Sequence, residues 1–245
     1  MRRATQAPDS FEAEAAEAVR LSILRGLPAT LSDAVLAAAV RVELPPRRVL
    51  DGQSFDLVVA GLVREFVSGP DGRQVTVSYL GQGDVVGFGR LAGQQQPVAC
   101  ETMTDCRVLR IPPSRFDELR STQPDVSWAA TEELARHLDD VVDGIALSAF
   151  GSVRERVIYH LLALSTPRLA RKGLVCSAGQ QQLAQAAGSV REVVARVLKD
   201  LRSEGLVTSY GRETVIPDPA RLQSEIGHLP GRLPHTQMEP RSRSA

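Results

Sequence analysis

The sequence predicts an α+β chain: an N-terminal antiparallel β-roll, one long helix suited to pairing two chains, and a C-terminal winged helix-turn-helix. Three observations predict it. Between residues 42 and 111, short β-branched runs alternate with Gly, Pro and Asp. From Pro124 to Ala149, apolar residues recur at three- and four-residue steps. After Gln180, the segment Leu183-Ala-Gln-Ala-Ala-Gly188 leads into a helix that is aliphatic on one edge and charged on the other.

Taken in chain order, residues 1–10 and 228–245 read as loose ends. The latter are rich in Pro, Arg and Ser and carry too few apolar groups to offset chain entropy. Residues 11–41 are rich in Ala and Glu at helical spacing. They are expected to form helices at 12–25 and 31–40, with Leu31-Ser32-Asp33 capping the second. Strands are expected at 42–44, 57–60, 62–67, 75–80, 84–86, 98–102 and 107–111. The Gly69-Pro-Asp-Gly72 sequence turns a hairpin between the third and fourth.

In the long helix, Val126, Ala130, Leu134, Leu138, Val141 and Ile145 form a stripe lasting more than three heptads, as in a coiled-coil seam between two chains. Its opposite face, with Glu132, Glu133, Asp139, Asp140 and Asp143, reads as solvated. Helices at 154–165, 180–187 and 190–204 and strands at 206–209 and 213–216 follow. The expected domains are therefore an N-terminal extension and helix (1–29), a β-roll (30–123), a dimerisation helix (124–149), a winged helix-turn-helix (150–226) and a disordered tail (227–245).

Composition narrows the function. Of 245 residues, 43% are apolar and 24% charged, close to the globular average. Lys+Arg and Asp+Glu both number 29, which excludes a uniformly basic coat. The balance hides an asymmetry: residues 153–217 carry ten Lys and Arg against five Asp and Glu, a pointer to nucleic acid. Three Cys without a CxxC pair exclude a disulfide framework and fit a reducing compartment. With no apolar run of about 18 residues and no apolar signal core, a soluble cytoplasmic protein is expected.

The 190–203 helix carries the chemistry. At roughly 100° per residue from Arg191, Val193, Val194, Val197, Leu198 and Leu201 fall between about 200° and 340°. Arg191, Glu192, Ala195, Arg196 and Lys199 fall between about 0° and 140°. Arg can bond a guanine edge bidentately and Glu can accept from cytosine N4, while the small Ala195 leaves room for a groove wall. An ordinary amphipathic surface helix would share this pattern. It would not need the preceding helix and Gly188 turn, nor the hairpin from Leu206 to Ile216 with its Gly-Arg tip.

The order of roll, long helix and winged helix-turn-helix resembles the Crp/Fnr family of bacterial transcription regulators over residues 30–226. The family's reading segment, Gly-x-[Ser/Thr]-Arg-Glu-Thr-[Val/Ile]-x-Arg-x-Leu-x-x-Leu, is similar to Gly188-Ser-Val-Arg-Glu-Val-Val-Ala-Arg-Val-Leu-Lys-Asp-Leu201. The resemblance implies that Arg191, Glu192 and Arg196 read bases, with Lys199 on the same face. It also implies that Gln180 and Ser189 touch the DNA backbone. Val190 and Val193 replace a usual hydroxyl and a usual Thr, which removes backbone contacts and lowers affinity more than sequence choice. The partners implied are double-stranded DNA, a second copy of the chain, and RNA polymerase.

Residues 80–111 resemble the family's effector cassette through Gly81, Gly83, Asp84, Gly87, Ala99 and Thr104-Asp-Cys-Arg-Val-Leu109. The pocket would involve Gly87, Phe88, Gly89, Arg90, Pro97, Val98 and Ala99. Cyclic-nucleotide binders carry a Gly-Glu-Leu for the ribose and an Arg-[Ser/Thr]-Ala for the phosphate. Here Gly87-Phe88-Gly89 and Pro97-Val98-Ala99 stand in those places, without the carboxylate or the cation. The stretch from Pro46 to Leu57 is also shorter than is usual in the family. Cyclic AMP is therefore not the expected effector. An iron–sulfur cluster would need Cys near the N-terminus, and none precedes Cys100. Cys100 and Cys106 read as small core residues or as a thiol switch. No cofactor, metal site or catalytic constellation is expected. The alternative to a regulator is a cyclic-nucleotide-domain module that signals through protein contacts, which would have no use for an Arg/Glu/Arg edge and a wing.

Overall fold

The computed structural model describes residues 8–50, 54–72, 74–92, 98–167, 173–211 and 213–227. The expected tail from residue 228 onward, Pro97 and the wing-tip Arg212 lie outside them. Helix α1 (Pro8–Leu21), a 3₁₀ turn (Ile23–Gly26) and α2 (Ala29–Leu36) lead into β1 (Val40–Leu44), β2 (Val49–Leu50), β3 (Phe55–Ala60), β4 (Val63–Ser68) and β5 (Gln74–Leu80). Then come β6 (Val85–Val86), a 3₁₀ turn (Phe88–Ala92), β7 (Val98–Thr102), β8 (Cys106–Ile111), α3 (Pro113–Thr122) and α4 (Pro124–Phe150). The C-terminal part holds α5 (Val153–Ala163), β9 (Ser165–Pro167), β10 (Leu174–Cys176), α6 (Gln180–Ala186), α7 (Arg191–Ser203), β11 (Thr208–Tyr210), β12 (Glu213–Ile216) and α8 (Pro219–Gln223).

These elements divide into two compact units. One takes the chain up to Glu65 and again from Leu80 to Leu138; the other takes Phe66–Tyr79 and the chain from Asp139 onward. The tip of the β4–β5 hairpin thus belongs with the C-terminal elements, and α4 contributes to both units.

In the first unit, one sheet has the order β1-β8-β3-β6 and is antiparallel, with Val42 opposite Val108 and Leu57 opposite Leu109. A second sheet has the order β2-β7-β4-β5. Alternation along β3 serves two cores, because successive side chains point to opposite faces. Phe55, Leu57 and Val59 pack with Ala18, Leu24 and Val35 of the N-terminal helical segment, Phe116 and Leu119 of α3, and Val126, Ala129 and Ala130 of α4. Val58 joins Val63, Leu80, Val86, Cys100 and Cys106 inside the roll. The buried Asp56 carboxylate takes a two-pronged ion pair from Arg110, both bonds 2.8 Å.

The second unit is built around α5. Ser152 and Glu155 cap it reciprocally, and it buries Val157, Ile158, Leu161 and Leu162 against α6, α7 and α8. A four-stranded sheet, β11-β12-β10-β9, completes the wing. The Gly69–Gly72 turn closes as expected, with the Gly72 amide donating to the Gly69 carbonyl at 3.0 Å. Among the described residues, no helix is long and apolar enough to cross a membrane.

The structure corrects several sequence expectations. Ser32 does not cap α2: the helix begins at Ala29 after Pro28, and the Ser32 hydroxyl donates to the Leu24 carbonyl at 2.9 Å. Helices α3 and α8 and the short strands β2, β9 and β10 were not expected. Val126 and Ala130, assigned to the dimer seam, are 1% and 5% exposed and belong to the first unit's own core.

One contact makes a clean test of packing against propensity. A Cβ on Gly144 of α4 would lie 2.0 Å from the Val77 carbonyl oxygen of β5. Helix propensity alone favours Gly144→Ala by about 1 kcal/mol. The backbone clash reverses the sign, and thermal unfolding should show Gly144→Ala destabilised by about 1–3 kcal/mol.

Candidate nucleic-acid interface

The first helix of the pair, α6, buries Leu183, Ala184 and Ala186, and α6 packs on α7. The chain then reverses at Gly188, whose φ of +58° is the left-handed conformation that glycine adopts at least cost. The Ser189 amide donates to the Ala184 carbonyl at 2.9 Å and closes the turn. Val190 is the N-cap of α7. It has the extended backbone of a cap and no side chain to fill the role, so it leaves one helix-terminal amide without the partner that Ser or Thr would give.

Burial fixes the rotation of α7. Val194, Leu198 and Leu201 are buried, and Arg191, Glu192, Arg196 and Lys199 are all exposed. Among the described residues none of these four has an ion pair or side-chain hydrogen bond. Other arginines of the unit are engaged: Arg154 with Glu204 and Glu225, and Arg156 with two backbone carbonyls. Glu192 in the first turn and Arg202 in the last complement the helix dipole. Gln180, at the start of α6, and Ser189, in the turn, are half-buried. The wing adds exposed Thr208, Ser209 and Tyr210, followed by Gly211. Sequence reasoning did not single out these wing residues, although three consecutive polar residues ahead of a Gly-Arg tip were the available signal.

The chain has 33% identity over 170 residues to the transcriptional regulator LdrP of Thermus thermophilus, covering 68% of this chain and 84% of that protein. The chain belongs to the Crp/Fnr family. Residues 155–225 match the family model of the Crp-like helix-turn-helix domain, and residues 51–123 match that of the cyclic nucleotide-binding domain. The cAMP-activated global transcriptional regulator CRP of Salmonella typhimurium is 29% identical over 164 residues, 65% of this chain and 78% of CRP. Among solved structures, a CRP-family transcriptional regulator from T. thermophilus has 28% identity and a TM-score of 0.62, covering 77% of this chain and 97% of its own. The c-di-GMP-responsive global regulator CLP of Xanthomonas campestris has 26% identity and a TM-score of 0.63, covering 78% and 100%. As a Crp/Fnr member the protein is a DNA-binding transcriptional regulator and not an enzyme.

Phe88 is buried against the Phe55 and Phe116 rings at centroid distances of 5.8 and 6.3 Å. Arg90 lies over the Phe55 ring at 5.3 Å and reaches Asp117 at 3.7 Å. Gly87 and Gly89 flank Phe88, and Val98 and Ala99 are half-buried on β7. Pro97 lies outside the described residues.

The roll interior instead presents Glu65 of β4, which is buried. Its carboxylate accepts from the Cys100 thiol at 3.6 Å and lies 3.2 Å from His137 Nε2 of α4. Burial, and then the Arg136 charge, push the His137 pKa down. Near neutral pH the imidazole is therefore neutral, in polar contact with the Glu65 carboxylate.

Burial, reinforced by the charge of Glu65, pushes the Cys100 thiol up, and burial does the same for Cys106, which donates to the Leu62 carbonyl at 3.4 Å. Both stay thiols at physiological pH. A redox switch needs an accessible thiolate, so their geometry favours the core role.

Proposed function

We propose that this Crp/Fnr member is a homodimer that reads an inverted-repeat DNA site, with a sensor that does not take cyclic AMP in the usual way. The observation that carries the proposal is the exposed edge Arg191–Glu192–Arg196–Lys199 on a helix whose opposite edge is buried. Two Arg forks and one Glu suit guanine and cytosine edges, so half-sites of the GTG type fit them. Arg196→Ala should cost about 1–3 kcal/mol at the cognate site and relax base choice there, measured by titration of cognate and random duplexes. Equal loss on both duplexes would make Arg196 a phosphate contact and overturn the read-out.

Dimerisation is supported by the exposed face of α4. Leu134, Leu138 and Ile145 are exposed there, together with Trp128, Val142 and Phe150, while Val141 is half-buried. Trp128, Ala135, Val142 and Ala149 stand seven apart, and Thr131, Leu138 and Ile145 interleave with them at the three- and four-residue steps of a coiled-coil seam. A second copy is the occupant this repeat suits. It would set two α7 helices in successive major grooves roughly 34 Å apart, from where a bound dimer can recruit or exclude RNA polymerase. Leu138→Glu should abolish dimers in sedimentation and DNA binding together. A variant that stays dimeric and bound would show that the pairing lies elsewhere.

The reading of the sensor rests on the roll interior. Where a ribose hydroxyl would need a carboxylate, Phe88 is packed into an aromatic cluster, and Arg90, a cation that could answer the cyclic phosphate, is held by Phe55 and Asp117. The buried Glu65 carboxylate adds a like charge that repels an anion. Two lost charge-assisted contacts at about 1.5–3 kcal/mol each lower affinity about 10²–10⁴-fold. Calorimetry should show no low-micromolar binding of cyclic AMP, and the nucleotide should not tighten operator binding. A low-micromolar dissociation constant with tightened binding would reverse this reading.

A further inference from the structure

Arg156 of α5 occupies a position that the reading edge does not explain. Its guanidinium donates in two directions: Nη1 to the Gly151 carbonyl at 2.7 Å and Nε to the Ala187 carbonyl at 2.9 Å. Gly151 directly follows the end of α4, and Ala187 is the C-cap of α6, immediately before the Gly188–Val190 turn into α7. Both carbonyls lie at helix C-terminal ends, where the orphan C=O groups and the negative dipole end favour a cation.

The helix that carries Arg156 is itself anchored. One turn further on, His160 Nδ1 shares a hydrogen bond of 3.0 Å with the Tyr79 hydroxyl, and the Tyr79, Tyr159 and His160 rings meet one another at centroid distances of 5.2–6.2 Å, edge-on in both His160 pairs. The Gly144 contact holds α4 on the same β-hairpin, since any Cβ there would meet the Val77 carbonyl. Within the second unit, then, the end of α4 and the helix α5 are both fixed on the hairpin, and Arg156 links them to the turn that launches α7.

We infer that Arg156 is a positioning residue for DNA reading. It fixes the place of the α7 reading edge relative to the end of α4, and through that relation it sets the half-site spacing that the dimer accepts. The inference rests on the dimeric, inverted-repeat reading above. An Arg is required because its planar fork donates along two fixed directions, whereas a Lys ammonium is a single point donor on a flexible stem.

The test compares wild type, Arg156→Lys and Arg156→Met on duplexes carrying two half-sites at the best spacing, the same half-sites one base pair closer or farther, and one half-site only. One base pair changes the separation by about 3.4 Å and the rotation by about 35°. Wild type should lose at least about tenfold in affinity for either altered spacing, since 1.4 kcal/mol of misfit suffices for tenfold. Arg156→Met should lose less than about threefold over the same change, and its affinity for the single half-site should stay within about twofold of wild type; Arg156→Lys should fall between the two. A purely structural role would lower the thermal midpoint and all affinities together and leave the spacing preference as sharp as before; that outcome overturns the inference. Should Arg156→Met fail to fold, Arg156→Lys decides between the same two outcomes. A wild type indifferent to spacing would instead overturn the inverted-repeat reading, and the inference with it, so the two failures are told apart by the wild-type curve alone.

Discussion

The C-terminal unit depends on the burial of one edge of α7. Val194, Leu198 and Leu201 are each worth about 1.5–3 kcal/mol when fully withdrawn from water. Together they hold the helix at one rotation, because turning it by a third of a revolution would bury Arg196 or Lys199 in their place. The other elements of the unit serve that constraint. Helix α5 supplies the apolar platform, Gly188 lets α6 cross α7 within three residues, and the wing follows from the end of α7 through the buried Leu206 and Val207. The missing cap at Val190 is tolerable because tertiary burial, not terminal capping, stabilises this helix.

The first unit is organised differently. Its roll interior is filled by its own side chains: an aliphatic and thiol cluster, and beside it a buried carboxylate that accepts from a thiol and lies next to an imidazole. Each contact answers the desolvation of Glu65, which would otherwise cost several kcal/mol.

Much of this was legible in the sequence, and the misses have physical causes. The bounds of α4 and α7 follow from long uninterrupted periodicity, and the reading edge from the wheel of a single helix. The proposed seam drifted because Val126, Ala130, Leu134 and Leu138 step by four residues. Each step rotates about 40° on a helix, so the stripe winds from the buried face onto the exposed one. The offset heptads that begin at Trp128 hold to the exposed face. Helix α3 escaped because only Phe116 and Leu119 anchor it. Strands β9 and β10 are three residues each, and β10 owes its place to pairing with the distant β12, which no local pattern encodes. Glu65 and the reach of Arg156 to Ala187 were invisible for the same reason: those partners are far away in the chain.

All three cysteines are buried and free, Cys100 and Cys106 in the first unit and Cys176 in the second. A buried thiol reacts with an alkylating reagent only in molecules that have transiently exposed it, so its labelling rate measures how often that region opens. The protein therefore contains, without any engineered probe, separate chemical clocks for the breathing of its sensor roll and of its DNA-reading head. Whether an effector or a bound duplex quiets one unit and leaves the other loose can be read from which clock slows.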